Sequence, residues 1–324
     1  MHSIKNFKNR PKFASLILDD QVPFYVFGAN VYTESLIEHF DVLGVIDDFS
    51  NKETFKGVPI FRSTQVKDDE LIVIASGGNT LSVAEFLEKK KLNWIDYFYL
   101  KNNTTLPLAE VVFNENFKEL YQNRLKEFEY LREKLHDDES KCVFDKIINF
   151  RSSLNIEHLL GLKENQINQY FEEFIPKIHD HVFYDVGCFD GETSVAFARR
   201  FEKYDFIYGF EPLEENIKLC LKKFDALKKA SLLKFGLSST DRTVKFSSDG
   251  STSRINIEGK EIVTLKRGDD LQIAPPTFIK IDVEGAEVDV LMGLENRIRA
   301  HAPTLAICVY HKPMDIIDVS EVIS

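Results

Sequence analysis

Ten residues, Val182 to Gly191, carry an acid-and-glycine pattern that can seat a ligand: Asp185-x-Gly187, then Asp190-Gly191. Glycine at 187 turns the chain where a Cβ would clash, and glycine at 191 lets backbone approach a bound molecule closely. The same spacing also serves a tight turn with no ligand. Glu211-Pro212 closes a second apolar run, about one strand–helix–strand unit after Asp185. An acid there can accept both hydroxyls of a ribose. It can equally cap the helical pattern at 214–229. A third set is Lys280, Asp282 and Glu284, alternating with Ile279, Ile281 and Val283. Three charges on one face of an apolar strand are costly unless paired or turned to a ligand. His311 stands at the end of the next apolar run. Histidine titrates near neutral pH and can take a proton from an alcohol. Lys280 can instead pair with Asp282 or Glu287 as structural support, and His311 can be a rim histidine with a backbone partner. A carboxylate–histidine set can hold a divalent metal, but this spacing does not specify one.

The elements that position these residues follow from periodicity. Residues 182–186 are apolar, aromatic and β-branched, and Ala196, Phe197 and Phe201 recur at helical spacing with Thr193 and Ser194 in the first turn. That is strand, glycine turn, helix. Residues 206–210 give a second strand, 232–238 a third with its turn, 278–284 a fourth and 303–310 a fifth. Thr243 to Phe246 and Ile262 to Leu265 read as accessory strands around the polar loop 247–254. Ligands of such sheets bind at the carboxyl ends of the strands.

Upstream, residues 22–100 form another α/β unit, with strands at 24–27, 42–46 and 71–75. Gly28 alone stands for the dinucleotide fingerprint, since Asn30 and Thr33 occupy its other glycine positions. This half reads as a Rossmann-like domain that binds no dinucleotide. Between the units, Phe117, Leu120, Tyr121, Leu125, Phe128 and Leu131 mark an amphipathic helix, and a second runs to Phe150. The division predicted is 1–105, a helical connector 106–176, and 177–324, with the helices packed between the two units.

The 324 residues carry a net charge of −11, which argues against a nucleic-acid groove. No apolar run reaches membrane-spanning length, and the basic stretch from Met1 to Lys12 lacks the apolar core of a secretory signal. Cys142, Cys188, Cys220 and Cys308 are scattered like reduced thiols of a cytoplasmic protein. Cys188 reads as a small turn-filling residue rather than a nucleophile.

From Asp185 onward the chain resembles the FkbM family of S-adenosylmethionine-dependent methyltransferases. The resemblance rests on Asp185-x-Gly187, Asp190-Gly191-Glu192-Thr193, Glu211-Pro212-x-x-x-Asn216 and, most specifically, Lys280-Ile281-Asp282-Val283-Glu284-Gly285-Ala286-Glu287. Ser251-Thr252-Ser253 and Arg267-Gly268-Asp269-Asp270-Leu271 are similar too. Asp138-Glu139-Ser140-Lys141 and Asn149-Phe150-Arg151 resemble the connector of members with an extra N-terminal domain. In the first unit, the stretch from Gly44 to Ile60 resembles small Rossmann-like domains attached to bacterial sugar-modifying enzymes.

The resemblance implies a class I (Rossmann-like) methyltransferase sheet of seven strands, behind a helical connector and a smaller Rossmann-like α/β domain. It implies S-adenosylmethionine as cofactor, held by Asp185, Gly187, Cys188, Asp190, Gly191, Thr193, Glu211, Pro212, Leu237, Ser238 and Asp282. Asp185 would accept from the amino-acid tail, Glu211 from the ribose, and Gly236-Leu237-Ser238 would flank adenine. His311, Glu284 and Asp282 would be catalytic. The acceptor would be a hydroxyl of a sugar or surface-polysaccharide precursor, with no nucleic-acid partner and the oligomeric state open, a homodimer included. The absence of an Asn/Asp-Pro-Pro-Tyr/Phe motif favours oxygen over nitrogen as acceptor. The expected final hairpin would need residues beyond Ser324, so a shortened chain with an uncovered strand at 305–310 is also expected. Two alternatives stand beside this: a nicotinamide-dependent oxidoreductase using the first domain, or a non-catalytic assembly protein with a relict cofactor site.

Overall fold

Two stretches of alternating strand and helix fold as two units, Met1–Lys163 and Glu164–Ser324. The computed structural model describes residues 5–67, 69–162, 169–175, 180–249, 252–255 and 261–324. Of the family-like loop 251–253, Ser251 lies outside them, as do positions 250 and 251 of the polar loop 247–254.

The first unit runs α1 (Arg10–Leu18), β1 (Phe24–Phe27), α2 (Val31–His39), β2 (Val42–Ile46), β3 (Thr54–Phe55), β4 (Val58–Phe61), β5 (Leu71–Ile74), α3 (Thr80–Lys89), β6 (Asn93–Asp96) and α4 (Tyr97–Asn102). The sheet order is β3-β4-β2-β1-β5-β6, parallel except for the β3–β4 pair. β5 is buried at all four positions, as a parallel strand covered on both faces must be. Two parts of this sheet were not predicted from sequence. The β3–β4 hairpin has a strand too short to show alternation, and β6 has only two apolar residues, Trp94 and Ile95, set between Asn93 and Asp96. Helices α5 (Phe117–Asn123), α6 (Leu125–Lys134) and α7 (Asp138–Ser153) follow. Arg124 interrupts the single helix expected over 117–131. Because the unit ends at Lys163, these helices group with the first sheet.

The second unit continues with β7 (Val182–Val186), α8 (Glu192–Arg200), β8 (Phe206–Phe210), α9 (Glu214–Ala226), β9 (Ala230–Leu233), β10 (Gly236–Ser238), β11 (Arg242–Asp249), β12 (Thr252–Ile255), β13 (Glu261–Arg267), β14 (Phe278–Ile281), α10 (Glu287–Gly293), α11 (Glu295–His301), β15 (Thr304–Ile307) and α12 (Asp315–Ile323). The main sheet is parallel, in the order β15-β14-β7-β8-β9. Strand order reverses between β7 and β14, which makes the crevice above them the ligand-binding switch point of a doubly wound sheet. An aromatic cluster fixes α8 on this sheet: Phe183 stacks on Phe197 at 4.0 Å, with Phe171, Phe201 and Phe278 around them.

The structure corrects two expectations here. The stretch 232–238 is two strands, because β9 pairs with β8 while β10 pairs with β13 in a separate four-stranded sheet. The fourth strand ends at Ile281, and positive φ at Glu284 and Gly285 turns the chain out of the sheet, so strict alternation stops before Asp282. The main sheet has five strands among the described residues. After β15 the chain enters α12, which packs on α10.

Candidate active site

Three loops meet at the carboxyl ends of β7, β8 and β14. In the first, Gly187 (φ +75°) and Gly191 (φ +82°) take left-handed backbone, and a Cβ on Gly187 would lie 2.0 Å from the Asp282 carbonyl oxygen. Glycine is therefore required where the β7 and β14 loops abut. Gly187 and Cys188 donate their N–H groups to the Phe210 carbonyl at 3.0 and 3.2 Å, tying the turn to β8. Asp190 accepts from the Glu192 N–H at 3.0 Å and pairs with Lys223 of α9 at 2.7 Å. Thr193, the second residue of α8, is half-buried.

Glu211 sits at the tip of β8, 4% exposed. Its carboxylate accepts N–H groups from Phe189 at 3.0 Å and Leu213 at 3.0 Å, and the Asn216 amide at 3.2 Å. Burial raises its pKa, and those donors with the Lys280 charge only partly offset the rise. So the acid both caps the approach to α9 and ties the glycine turn to β8. Pro212 lies beside it, against Gly236.

Asp185 is fully buried. Ser194 donates to it at 2.7 Å and the Lys280 ammonium stands 3.3 Å away. Lys280 also donates to the Gly187 carbonyl at 2.6 Å. Burial lowers the Lys280 pKa, but Asp185 and Asp282 outweigh burial and keep it above the ordinary lysine value, a firm cation. The pair locks the glycine turn from beneath, so Asp185 offers no open face to a ligand. The role of accepting from the cofactor tail is thereby corrected to one of positioning. Leu237 and Ser238 are corrected as well: both are buried on β10, and α10 packs so closely that a Cβ on Gly293 would meet the Ser238 carbonyl oxygen at 2.0 Å. The tip of the third main-sheet strand is Leu233. Cys188 lies 3.7 Å from Cys220, and that thiol together with burial drives its pKa far up. It is a packed thiol, as a turn-filling residue should be.

The rim of β14 and β15 brings together the three residues expected to be catalytic. His311 Nε2 lies 3.4 Å from Asp282 and 3.5 Å from Glu284, and Nδ1 lies 3.0 Å from Glu287. Burial lowers the imidazole pKa, while Glu287 foremost, then Glu284 and Asp282, raise it above the ordinary value. Glu287 accepts the N–H groups of Val283 and Gly285 at 3.1 and 3.2 Å and so shapes the turn that presents Asp282 and Glu284. Two tyrosines complete the rim, Tyr170 donating to Asp282 at 2.8 Å and Tyr310 to its other oxygen at 3.4 Å. Burial pushes the Cys308 thiol, beside Tyr170, up to about 12. Tyr170 and Tyr310 were not found from sequence. Tyr170 lies in the stretch assigned to the connector, and nothing local links it to a strand tip 112 positions away. Glu287 was noted only as a partner for Lys280, although its place in the Lys-x-Asp-x-Glu-Gly-x-Glu element was a usable signal.

Comparison with known proteins bears on this unit most directly. Residues 185–322 match the family model described as the methyltransferase FkbM domain. A curated relative, the hexuronic acid methyltransferase AglP of Haloferax volcanii, is 25% identical over 154 residues, 45% of this chain. The chain spans 62% of that relative's length. The crystal structure of methyltransferase FkbM from Methylobacillus flagellatus KT superposes with a TM-score of 0.69 at 17% identity, over 99% of this chain and 92% of that one. At that identity the likeness speaks for the fold.

Proposed function

We propose, for a chain whose residues 185–322 belong to the FkbM methyltransferase family, that it transfers a methyl group from S-adenosylmethionine to a hydroxyl of a sugar or surface-polysaccharide precursor in the cytoplasm. The observation that carries this is the convergence of the glycine turn, the Glu211 tip and the Asp282–Glu284–His311 rim at one switch point. The donor set suits the cofactor. Glu211 is an acceptor for ribose hydroxyls, Phe189 offers an aromatic ring 61% exposed beside it, and the Asp282 and Glu284 carboxylates complement a cationic sulfur. S-adenosylmethionine supplies a methyl group carried on a sulfonium.

The chain's own work is orientation and proton transfer. The Asp185–Lys280 pair fixes the turn, Glu211 fixes the ribose edge, and the rim receives the acceptor hydroxyl and its departing proton. A hexuronic acid methyltransferase among the relatives supports a sugar acceptor. Four free thiols are compatible with a reducing compartment, and no helix among the described residues is long and apolar enough to cross a membrane. In the first unit, Asn30 accepts the N–H groups of Tyr32 and Thr33 at the start of α2. A capping side chain stands where the dinucleotide fingerprint has glycine, which weighs against a nicotinamide-dependent reaction.

Calorimetric titration tests the assignment. S-adenosylmethionine binds the parent chain with saturable heat, and Glu211→Ala weakens it by about 1.5–3 kcal/mol, the worth of a hydrogen bond to a charged acceptor. Equal affinity in the two proteins removes Glu211 from the site.

A further inference from the structure

Glu287 is 1% exposed, and its two oxygens have different fates. Oε1 accepts the backbone N–H groups of Val283 and Gly285. Oε2 has no hydrogen-bond donor, and His311 Nε2, on a side chain 8% exposed, makes no hydrogen bond either, while Nδ1 faces Glu287 Oε1 at 3.0 Å. Buried polar atoms left this way are rare and costly, and each asks for a partner. A donor atom from each of Asp282, Glu287 and His311 lies within 4.8 Å of the other two. Asp282 is held by two tyrosines, Tyr170 donating to Oδ2 and Tyr310 to Oδ1, and Oδ1 also faces His311 at 3.4 Å. Outer partners that orient first ligands in this manner are usual around bound metals.

We propose that Asp282, Glu287 and His311 hold a divalent cation of the manganese and magnesium class at the β14–β15 rim. Two carboxylates and one imidazole are hard to borderline donors, and three protein ligands leave coordination positions open for water or a substrate oxygen. The cation compensates three carboxylates gathered around one histidine. The proposal deepens the methyl-transfer assignment and, as to its purpose, rests on it. An acceptor hydroxyl bound in an open position is acidified by the cation. As the O–CH3 bond forms, the S–CH3 bond breaks, sulfur keeps the electron pair as a thioether, and the hydroxyl proton passes to Glu284. The Glu284 side chain is 42% exposed on the same turn and stands 3.5 Å from His311. His311 then serves as a ligand and Glu284 as the proton acceptor.

The test uses Mn2+ as probe on the full chain after chelator treatment, with calorimetry of S-adenosylmethionine alongside. Paramagnetic resonance is expected to show one tightly bound Mn2+ per chain, with imidazole nitrogen coupling in the pulsed spectrum of the parent protein. His311→Ala abolishes that coupling. Asp282→Asn weakens Mn2+ at least by the roughly 10–100-fold that loss of even an outer-shell partner costs. No bound Mn2+, a parent spectrum without nitrogen coupling, or unchanged affinity in both variants overturns the cation site. The parent spectrum decides the matter even where a variant fails to fold. Mn2+ bound without S-adenosylmethionine binding leaves the cation site standing and removes the methyl-transfer assignment; the reverse result removes the cation site alone.

Discussion

A lysine and an aspartate, 3% and 0% exposed and 3.3 Å apart, decide whether the glycine turn keeps its shape. Neither side chain can be hydrated, so removing one strands the other in a medium that does not tolerate a lone charge. Lys280→Met is therefore expected to destabilise the second unit by about 3–5 kcal/mol, whereas adding Asp185→Asn in the same chain recovers much of the loss. Denaturant titration checks both. A single variant within about 1 kcal/mol of the parent contradicts the pair's role. Glu211 has a different task at the same scale. It accepts the N–H groups of Phe189 and Leu213 and so keeps Phe189 and the turn in place.

At the scale of the element, the β7 turn is fastened to α9 by Asp190 and Lys223. Burial raises the Asp190 pKa, but Lys223 and the Glu192 N–H more than offset it and leave the carboxyl below its ordinary value. A depressed carboxyl stabilises the folded chain above its unfolded pKa of about 4, and the contribution fades as pH falls through the lower folded value. Because both side chains are about one-third exposed, the effect is small, below about 1 kcal/mol. Thermal melts of parent and Asp190→Asn should differ at pH 7 and converge below pH of about 4. A gap that persists in acid contradicts the assignment. The strands bearing Asp185 and Glu211 were legible in sequence because each is an apolar run ending abruptly in a charged or glycine residue. The split between β9 and β10 was not legible. Lys234 alone interrupts the apolar residues between Leu232 and Leu237 and marks no break by itself, so only long-range pairing, β9 to β8 and β10 to β13, assigns the two halves to different sheets. Asp185 was legible as a site residue but not as a buried one. Its two partners, nine and ninety-five positions away, are set by tertiary packing alone.

For the whole molecule, two Rossmann-like units share one chain, but their strand tips are equipped differently. The first puts Asn30 into its own helix terminus, and the second leaves acids, an aromatic ring and a histidine at its rim. Titration of the full chain with a nicotinamide dinucleotide should show no binding in the micromolar range, and tight binding would reopen an oxidoreductase assignment. Methyl transfer to a sugar hydroxyl is the reaction proposed for the second rim. It is tested most directly by incubating the chain and a divalent cation with S-adenosylmethionine labelled with carbon-13 in its methyl group and a panel of hexoses, hexuronic acids and their nucleotide conjugates, followed by carbon–proton correlation NMR. A new methyl ether signal on a sugar acceptor is expected, formed about 10²-fold more slowly by Glu284→Gln while cofactor affinity is retained. A labelled methyl found on nitrogen or carbon, or a Glu284→Gln rate equal to the parent's, would contradict it.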